Sequence, residues 1–273
     1  MGFIIRWGIY MLQQTLYGQS NVERSIDILR AMEPDYGYMG KFSGGKDSAA
    51  IALLLKLSGV KHTLTYNHTT VDPPELVYHI RRKYPECRIE YPTETMWHLI
   101  ARKKMPPTRV ARYCCDVLKE RKADPGTFIV TGIRWAESNN RKHRSMFEKF
   151  RGRNAFGTND LNIAVEHADG CLQSGKTHIL NPIISWSDEE VFGFLKHENI
   201  ELCCLYNEGF TRLGCIGCPM TSVKKREREF ERWPKYKNAY IRAFTKMLKN
   251  IVSEEKTTKW FNGQDVFNWW MSQ

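Results

Sequence analysis

The run Ser43-Gly44-Gly45-Lys46-Asp47-Ser48 carries the clearest chemistry in the chain. Two adjacent glycines let a backbone fold tightly and aim its N–H groups at one point. A helix opening at this loop adds the partial positive charge of its N-terminus. Lys46 supplies a full charge, and the hydroxyls of Ser43 and Ser48 supply further donors. The run therefore reads as a cradle for phosphate. It is not the Walker A loop, which places four residues between its first glycine and Gly-Lys-Ser/Thr. Asp47 has two roles open to it: positioning Mg2+ or capping its helix.

Cys114-Cys115 and Cys215-x-x-Cys218 form the second set. Four thiolates suit zinc or an iron–sulfur cluster. The Cys-x-x-Cys half gives two ligands from one tight turn, beside Gly214 and Gly217. The tandem pair is unusual for zinc, because adjacent side chains seldom converge on one small ion. A cubane cluster is larger and offers separate iron corners. Cys203-Cys204 offers a competing ligand pair, though its place between Leu202 and Leu205 favours packing, and Cys87 and Cys171 read as ordinary buried or surface residues. Arg134 follows a strand, where its guanidinium fork would suit phosphate or sulfate oxygens. Arg109 and Arg112 precede the cysteine pair, where they suit either an anion or the charge of ligated thiolates.

The elements that must position these residues follow from patterning. Ser20 and Glu23 make a capping box for a helix ending near Met32. Tyr36–Phe42 reads as a buried strand, the loop as a turn, and Asp47–Leu57 as a helix with an apolar body. Strands at His62–Asn67, Arg88–Tyr91 and Thr127–Ile133 alternate with helices at Pro74–Lys83, Glu94–Lys103 and Tyr113–Lys122. His178–Ile183 adds a last strand, and Ser187 caps a helix. This alternation predicts an α/β fold, a Rossmann-like doubly wound, mainly parallel sheet. Such sheets bind ligands beyond the carboxyl ends of their strands, where Asn67, Thr69, Asp72 and Arg134 stand.

Three regions are expected: an N-terminal helical segment over 1–35, the nucleotide-binding domain over 36–220, and a helical C-terminal extension over 221–273. Residues 139–176 read as an irregular basic insertion, with Lys142, Arg144, Lys149, Arg151 and Arg153 in its first part. In the extension, Trp233, Trp260, Trp269 and Trp270 are the expected packing anchors. The mixed-sign run Lys224–Glu229 reads as a solvated helix face.

The chain has 273 residues, 42% hydrophobic and 26% charged, as in a folded protein. Its net charge of +11 favours anionic partners, nucleotides or nucleic acid. Residues 3–10 are apolar but broken by Arg6 and far shorter than the ~20 residues that span a bilayer. No secretory cleavage site follows. A cytoplasmic protein with reduced thiols, and no membrane partner, is the expectation.

The loop resembles the PP-loop of the ATP pyrophosphatase superfamily. Further stretches resemble the phosphoadenosine phosphosulfate (PAPS) reductase family: Gly132-Ile133-Arg134 with Glu137-Ser138 and Arg141, Pro182–Ser187, Leu205–Phe210, and Gly214–Pro219. The resemblance implies an adenine nucleotide alpha hydrolase-like fold. It implies that Ser43, Gly44, Gly45, Lys46, Asp47, Ser48, Asn67, Gly132, Arg134 and Arg141 meet ATP or another adenine nucleotide, with Lys46, Asp47 and Arg134 acting in catalysis. Adenylylsulfate reductases of this kind bind a [4Fe-4S] cluster through a Cys-Cys pair and a distant Cys-x-x-Cys. By that resemblance Cys114, Cys115, Cys215 and Cys218 would hold such a cluster here.

Three activities follow as alternatives. One is adenylation of an acceptor by ATP, with pyrophosphate released and sulfur then transferred, as in the similar DNA phosphorothioation sulfurtransferases. Its partners would be a sulfur donor and an acceptor such as nucleic acid. The second is sulfonucleotide reduction releasing sulfite with a thiol-reductant protein. The cysteine that the family uses for this lies in a C-terminal Glu-Cys-Gly-Leu-His motif, and no cysteine follows Cys218. The third is a non-enzymatic nucleotide or cluster sensor. Lys46 favours the first, since a full charge on the loop suits a triphosphate.

Overall fold

The computed structural model describes residues 20–119, 126–151, 154–169 and 177–273. They fall into two compact units. The first holds the described residues of Met1–Tyr66, Ile80–Arg88 and Ala123–Tyr206. The second holds those of Asn67–His79, Ile89–Lys122 and Asn207–Gln273.

The first unit opens with α1 (Asn21–Ala31), whose Ser20 and Glu23 cap each other reciprocally. β1 (Tyr38–Phe42) leads through the glycine loop into α2 (Lys46–Ser58). Ala49, Ala50, Ile51, Leu54 and Leu55 are all buried, so the body of α2 is covered on most of its circumference. Gly59 ends it in the left-handed conformation, φ 74°. β2 (His62–Asn67), α3 (Pro74–Lys83), β3 (Arg88–Glu90) and, further on, β4 (Phe128–Val130) follow. The seven-stranded sheet runs β3-β2-β1-β4-β7-β5-β6, with β7 at His178–Leu180. β1 pairs in parallel with both β2 and β4, and β4 with β7. The chain therefore leaves β1 toward β2 on one side and returns to β4 on the other. Between their carboxyl ends lies the switch point where such sheets take ligands. After β7, α6 (Asp188–His197) starts from a capping box of Ser187 and Glu190.

Part of 139–176 differs from the expectation of an irregular insertion. Asn139–His143 is a 3-10 turn, β5 (Phe147–Arg151) and β6 (Asn154–Thr158) form an antiparallel hairpin, and α5 (Leu161–Asp169) follows. β5 joins the sheet antiparallel to β7, with Phe147 opposite Leu180. Its charged residues concealed this. Glu148 and Lys149 are buried, and Arg144 Nε donates to Glu148 at 2.6 Å. Arg153 and Cys171 lie outside the described residues.

The second unit contains α4 (Met96–Lys103), then α7 (Val223–Arg232), α8 (Pro234–Val252) and α9 (Gly263–Met271). α8 packs against α4 and α9 around Tyr240, Phe244, Met247 and Trp270. Trp233 and Trp270 are buried anchors, whereas Trp260 and Trp269 stay part-exposed, with ring centroids 5.1 Å apart. The run Lys224–Glu229 is not wholly solvated. Arg226 and Glu229 turn inward at i, i+3 spacing, and Arg226 donates to the carbonyls of Trp270, Met271 and Gln273. The helix expected over Tyr113–Lys122 contains a π-helical turn at Cys115–Lys119, and residues 120–125 lie outside the described chain. Among the described residues, no helix is long and apolar enough to cross a membrane.

Candidate functional site

The loop after β1 closes on itself. Ser48 Oγ donates to Gly45 O at 2.8 Å and accepts from Ser43 N at 3.2 Å. Ser43 Oγ lies 3.2 Å from Ser48 Oγ and is exposed, so Ser48 clasps the loop while Ser43 faces outward. Gly44 takes φ 70°, a conformation that favours glycine. The first amide of α2, on Lys46, donates to the Tyr206 hydroxyl at 2.9 Å. Tyr206 comes from the Leu205–Phe210 stretch and stands edge-on to Phe192, whose ring lies 5.6 Å from Lys46 Nζ.

Gly132 follows β4, and its lack of a side chain is a steric need. A Cβ there would stand 2.8 Å from the Asp47 carbonyl oxygen, so the end of β4 and the first turn of α2 could not approach. Arg134, two residues on, is almost fully buried. Its Nε donates to Asp47 Oδ1 at 2.8 Å, its Nη1 to Trp186 O at 2.9 Å and its Nη2 to Asp188 Oδ1 at 2.5 Å. Lys46 Nζ reaches Asp47 at 3.1 Å and Asp188 at 3.0 Å. Burial opposes ionisation of Asp188, but the bonds and charges of Lys46 and Arg134 outweigh it and hold its carboxyl below the usual value. Arg141 pairs with Glu137, and Glu137 in turn accepts the Arg134 backbone N–H at 3.1 Å. The structure thus brings together Ser43, Gly44, Gly45, Lys46, Asp47, Ser48, Gly132 and Arg134, with Arg141 one contact away.

Asn67 belongs to the second unit. It is buried at the end of β2, and its Nδ2 donates to Lys119 O at 2.8 Å. Nearby, Asp72 accepts the Thr69 amide at 2.6 Å.

The four expected ligand cysteines all lie in this second unit. A hydrogen bond with Cys115, then burial, then the charges of Cys115, Cys215 and Cys218 push the Cys114 thiol up. Burial and Asp72 push Cys215 up to about 12, against the opposing influence of Lys119 and Thr69. Burial raises Cys218 as well. Arg112 Nη2 donates to Cys115 Sγ at 3.6 Å, while Arg109 donates to the carbonyls of Pro219 and Thr221. The four thiols share one electrostatic neighbourhood. Among the described residues, though, no three His, Cys, Asp or Glu side chains converge as a ready metal site.

The Cys-x-x-Cys turn is held from several sides. Ile216 N–H donates to Val71 O, Gly217 N–H to Glu229 Oε2 at 2.8 Å, and Tyr240 Oη–H to Ile216 O at 3.0 Å. Gly217 sits at φ 73°, and a Cβ there would meet the Phe230 ring at 2.6 Å. Of the remaining described cysteines, Cys203 and Cys87 are buried and Cys204 is exposed.

A family model for the phosphoadenosine phosphosulfate reductase domain matches residues 38–221. The chain belongs to that family. An uncharacterized protein of Methanocaldococcus jannaschii is 28% identical over 216 residues, 73% of this chain and 40% of its own length. The chain thus spans less than half of that relative. The adenosine 5'-phosphosulfate reductase of Allochromatium vinosum is 30% identical over 54 residues, 20% of this chain and 21% of the enzyme. The crystal structure of PAPS reductase from Candida auris aligns with a TM-score of 0.47 at 14% identity, covering 79% of this chain and 96% of that one. The family region contains the loop, Gly132, Arg134 and all four cysteines expected as ligands. Three site residues escaped sequence reading. Asp188 stood in the first turn of the helix that Ser187 caps, Tyr206 stood within a resembling stretch without a role, and Glu229 sat in the run read as solvated. Only pairing across the fold reveals them.

Proposed function

We propose that the chain binds ATP at the 43–48 loop and adenylates an acceptor, preparing it for sulfur transfer. The observation that carries this reading is the buried Lys46 ammonium at the N-terminus of α2, beside the β1–β4 switch point. A full charge, a helix N-terminus and glycine backbone at one place favour a polyphosphate. In the reaction an acceptor oxygen attacks the α-phosphorus of ATP. The bond to the bridging oxygen breaks, and pyrophosphate leaves with its electron pair. A sulfur nucleophile then displaces AMP from the adenylated acceptor. Lys46 and the loop would steady the leaving phosphates. The +11 charge fits an anionic acceptor, with nucleic acid the class to test beside small molecules.

Cys114, Cys115, Cys215 and Cys218 would hold a [4Fe-4S] cluster, which supplies one-electron chemistry or a docking point for sulfur. The donor set fits. All four thiols lie in one unit, with Cys114 shifted by its hydrogen bond with Cys115, by burial and by the charges of Cys115, Cys215 and Cys218, and four thiolates are the donor set such a cluster takes.

The expected result is ATP–pyrophosphate exchange by the full chain, lost in Lys46→Met. Exchange that survives this substitution would overturn the reading. The second reading, a sulfonucleotide reductase, is favoured by the local similarity to adenosine 5'-phosphosulfate reductase. Sulfite released from PAPS or adenylylsulfate without ATP turnover would establish it instead.

A further inference from the structure

The phosphate loop carries its own counter-ions. Lys46 and Arg134 are matched by Asp47 and Asp188, and each carboxylate touches both cations. Each nitrogen of Arg134 donates to a protein acceptor, and its side chain is 1% exposed. Its fork therefore organises the two carboxylates around Lys46 instead of facing a ligand. The quartet sums to no net charge, so an approaching anion meets a balanced site.

The two carboxylates are not equivalent. Asp47 is adjacent to Lys46 in sequence and its side chain is 22% exposed. Asp188 comes from the first turn of α6, and its side chain is 57% exposed. An exposed carboxylate regains water readily when a partner is withdrawn, and the N-terminus of α6 continues to favour its charge. Asp188 is thus the member that a ligand can displace at least cost.

We infer that Asp188 is a specificity-determining residue of the phosphate loop. Its carboxylate occupies the Lys46 ammonium that a ligand phosphate must take over, and so sets how much negative charge a ligand needs in order to bind. The inference rests on the nucleotide reading of the loop. A monophosphate gains little by exchanging one carboxylate for one phosphate at Lys46. A triphosphate carries more charge along the loop amides and the helix N-terminus, and the exchange then favours the ligand.

The test is calorimetric titration of the full chain with ATP, inorganic pyrophosphate and AMP in metal-free buffer. Asp188→Asn keeps an oxygen to accept from Arg134 and removes the charge. The expected result is about tenfold tighter binding of ATP and pyrophosphate, with a smaller gain for AMP, whose single phosphate carries less charge past the removed carboxylate. Unchanged affinity would sink the inference, and so would weaker affinity, which would make Asp188 a contributor to binding. If Asp188→Asn does not melt cooperatively, Asp188→Ser serves in its place with the same expectation. Lys46→Met separates the two levels of the argument. If the parent chain binds neither ATP nor pyrophosphate, or binds them equally after Lys46→Met, the nucleotide reading fails and this inference with it. If binding depends on Lys46 but not on Asp188, this inference alone fails.

Discussion

Glu229 shows how one residue can be misread locally and explained by its surroundings. In sequence it belongs to an alternation of charges that suits a solvated helix. In the structure it is buried, accepts the Gly217 amide at 2.8 Å, and lies 3.9 Å from Lys225 Nζ across one helical turn. Burial raises its pKa above the ordinary 4.5, against the opposing Gly217 bond and the charges of Lys225 and Arg226. The consequence for stability has a definite sign. Below pH 4.5 both folded and unfolded chains hold the proton. Above it the unfolded chain ionises first, so stability falls until pH passes the raised folded value. Glu229→Gln removes this contribution and still offers Gly217 an oxygen. Urea unfolding of the two proteins across this range should give free energies whose difference changes with pH, the parent losing more as pH rises. Parallel curves would contradict the account.

At the scale of elements, the junction of β4 with α2 decides whether the loop and Arg134 meet. The junction depends on Gly132, where an added Cβ would press on the Asp47 carbonyl at 2.8 Å. Backbone is the obstacle, so no side-chain rotation relieves it. Gly132→Ala should cost about 1–3 kcal/mol of stability and weaken ATP binding together, because the same shift moves Asp47 and Lys46. Denaturant unfolding and nucleotide titration check the two effects. A variant as stable as the parent with intact binding would show that β4 and α2 can part without consequence. The sheet illustrates the limits of pattern reading at this scale. Parallel buried strands announce themselves as continuous apolar runs, as Phe128–Val130 does. β5 does not, because Glu148 and Lys149 are buried on a strand whose partner, β7, lies some thirty residues away in sequence.

For the whole molecule, the decisive measurement is what the chain carries. Purified without oxygen, the full chain should be brown and contain about four irons. Cys115→Ser or Cys218→Ser should lower the iron content and bleach the absorption. A colourless protein holding one zinc ion would overturn the cluster. The fold places all four thiols in one unit with the helices α7, α8 and α9. The helical C-terminal region accordingly has a role at the Cys-x-x-Cys turn, since Glu229 and Tyr240 hold its backbone.

The sequence by itself determined the kind of fold, the glycine loop between β1 and α2 and the spacing of the four cysteines. Each depends on local information: glycines next to a lysine, apolar runs of strand and helix length, and thiols at recognisable spacing. Tertiary structure decided what these residues touch. Arg134 read as an anion fork, and its partners in the fold are Asp47, Asp188 and the Trp186 carbonyl. Asp188 follows the Ser187 cap as one acid among three in sequence, and in the fold it sits on Lys46. The physical reason is that charge balance in a buried site is settled by partners far apart in the chain. A local pattern records which charges exist, and only the fold records which of them cancel.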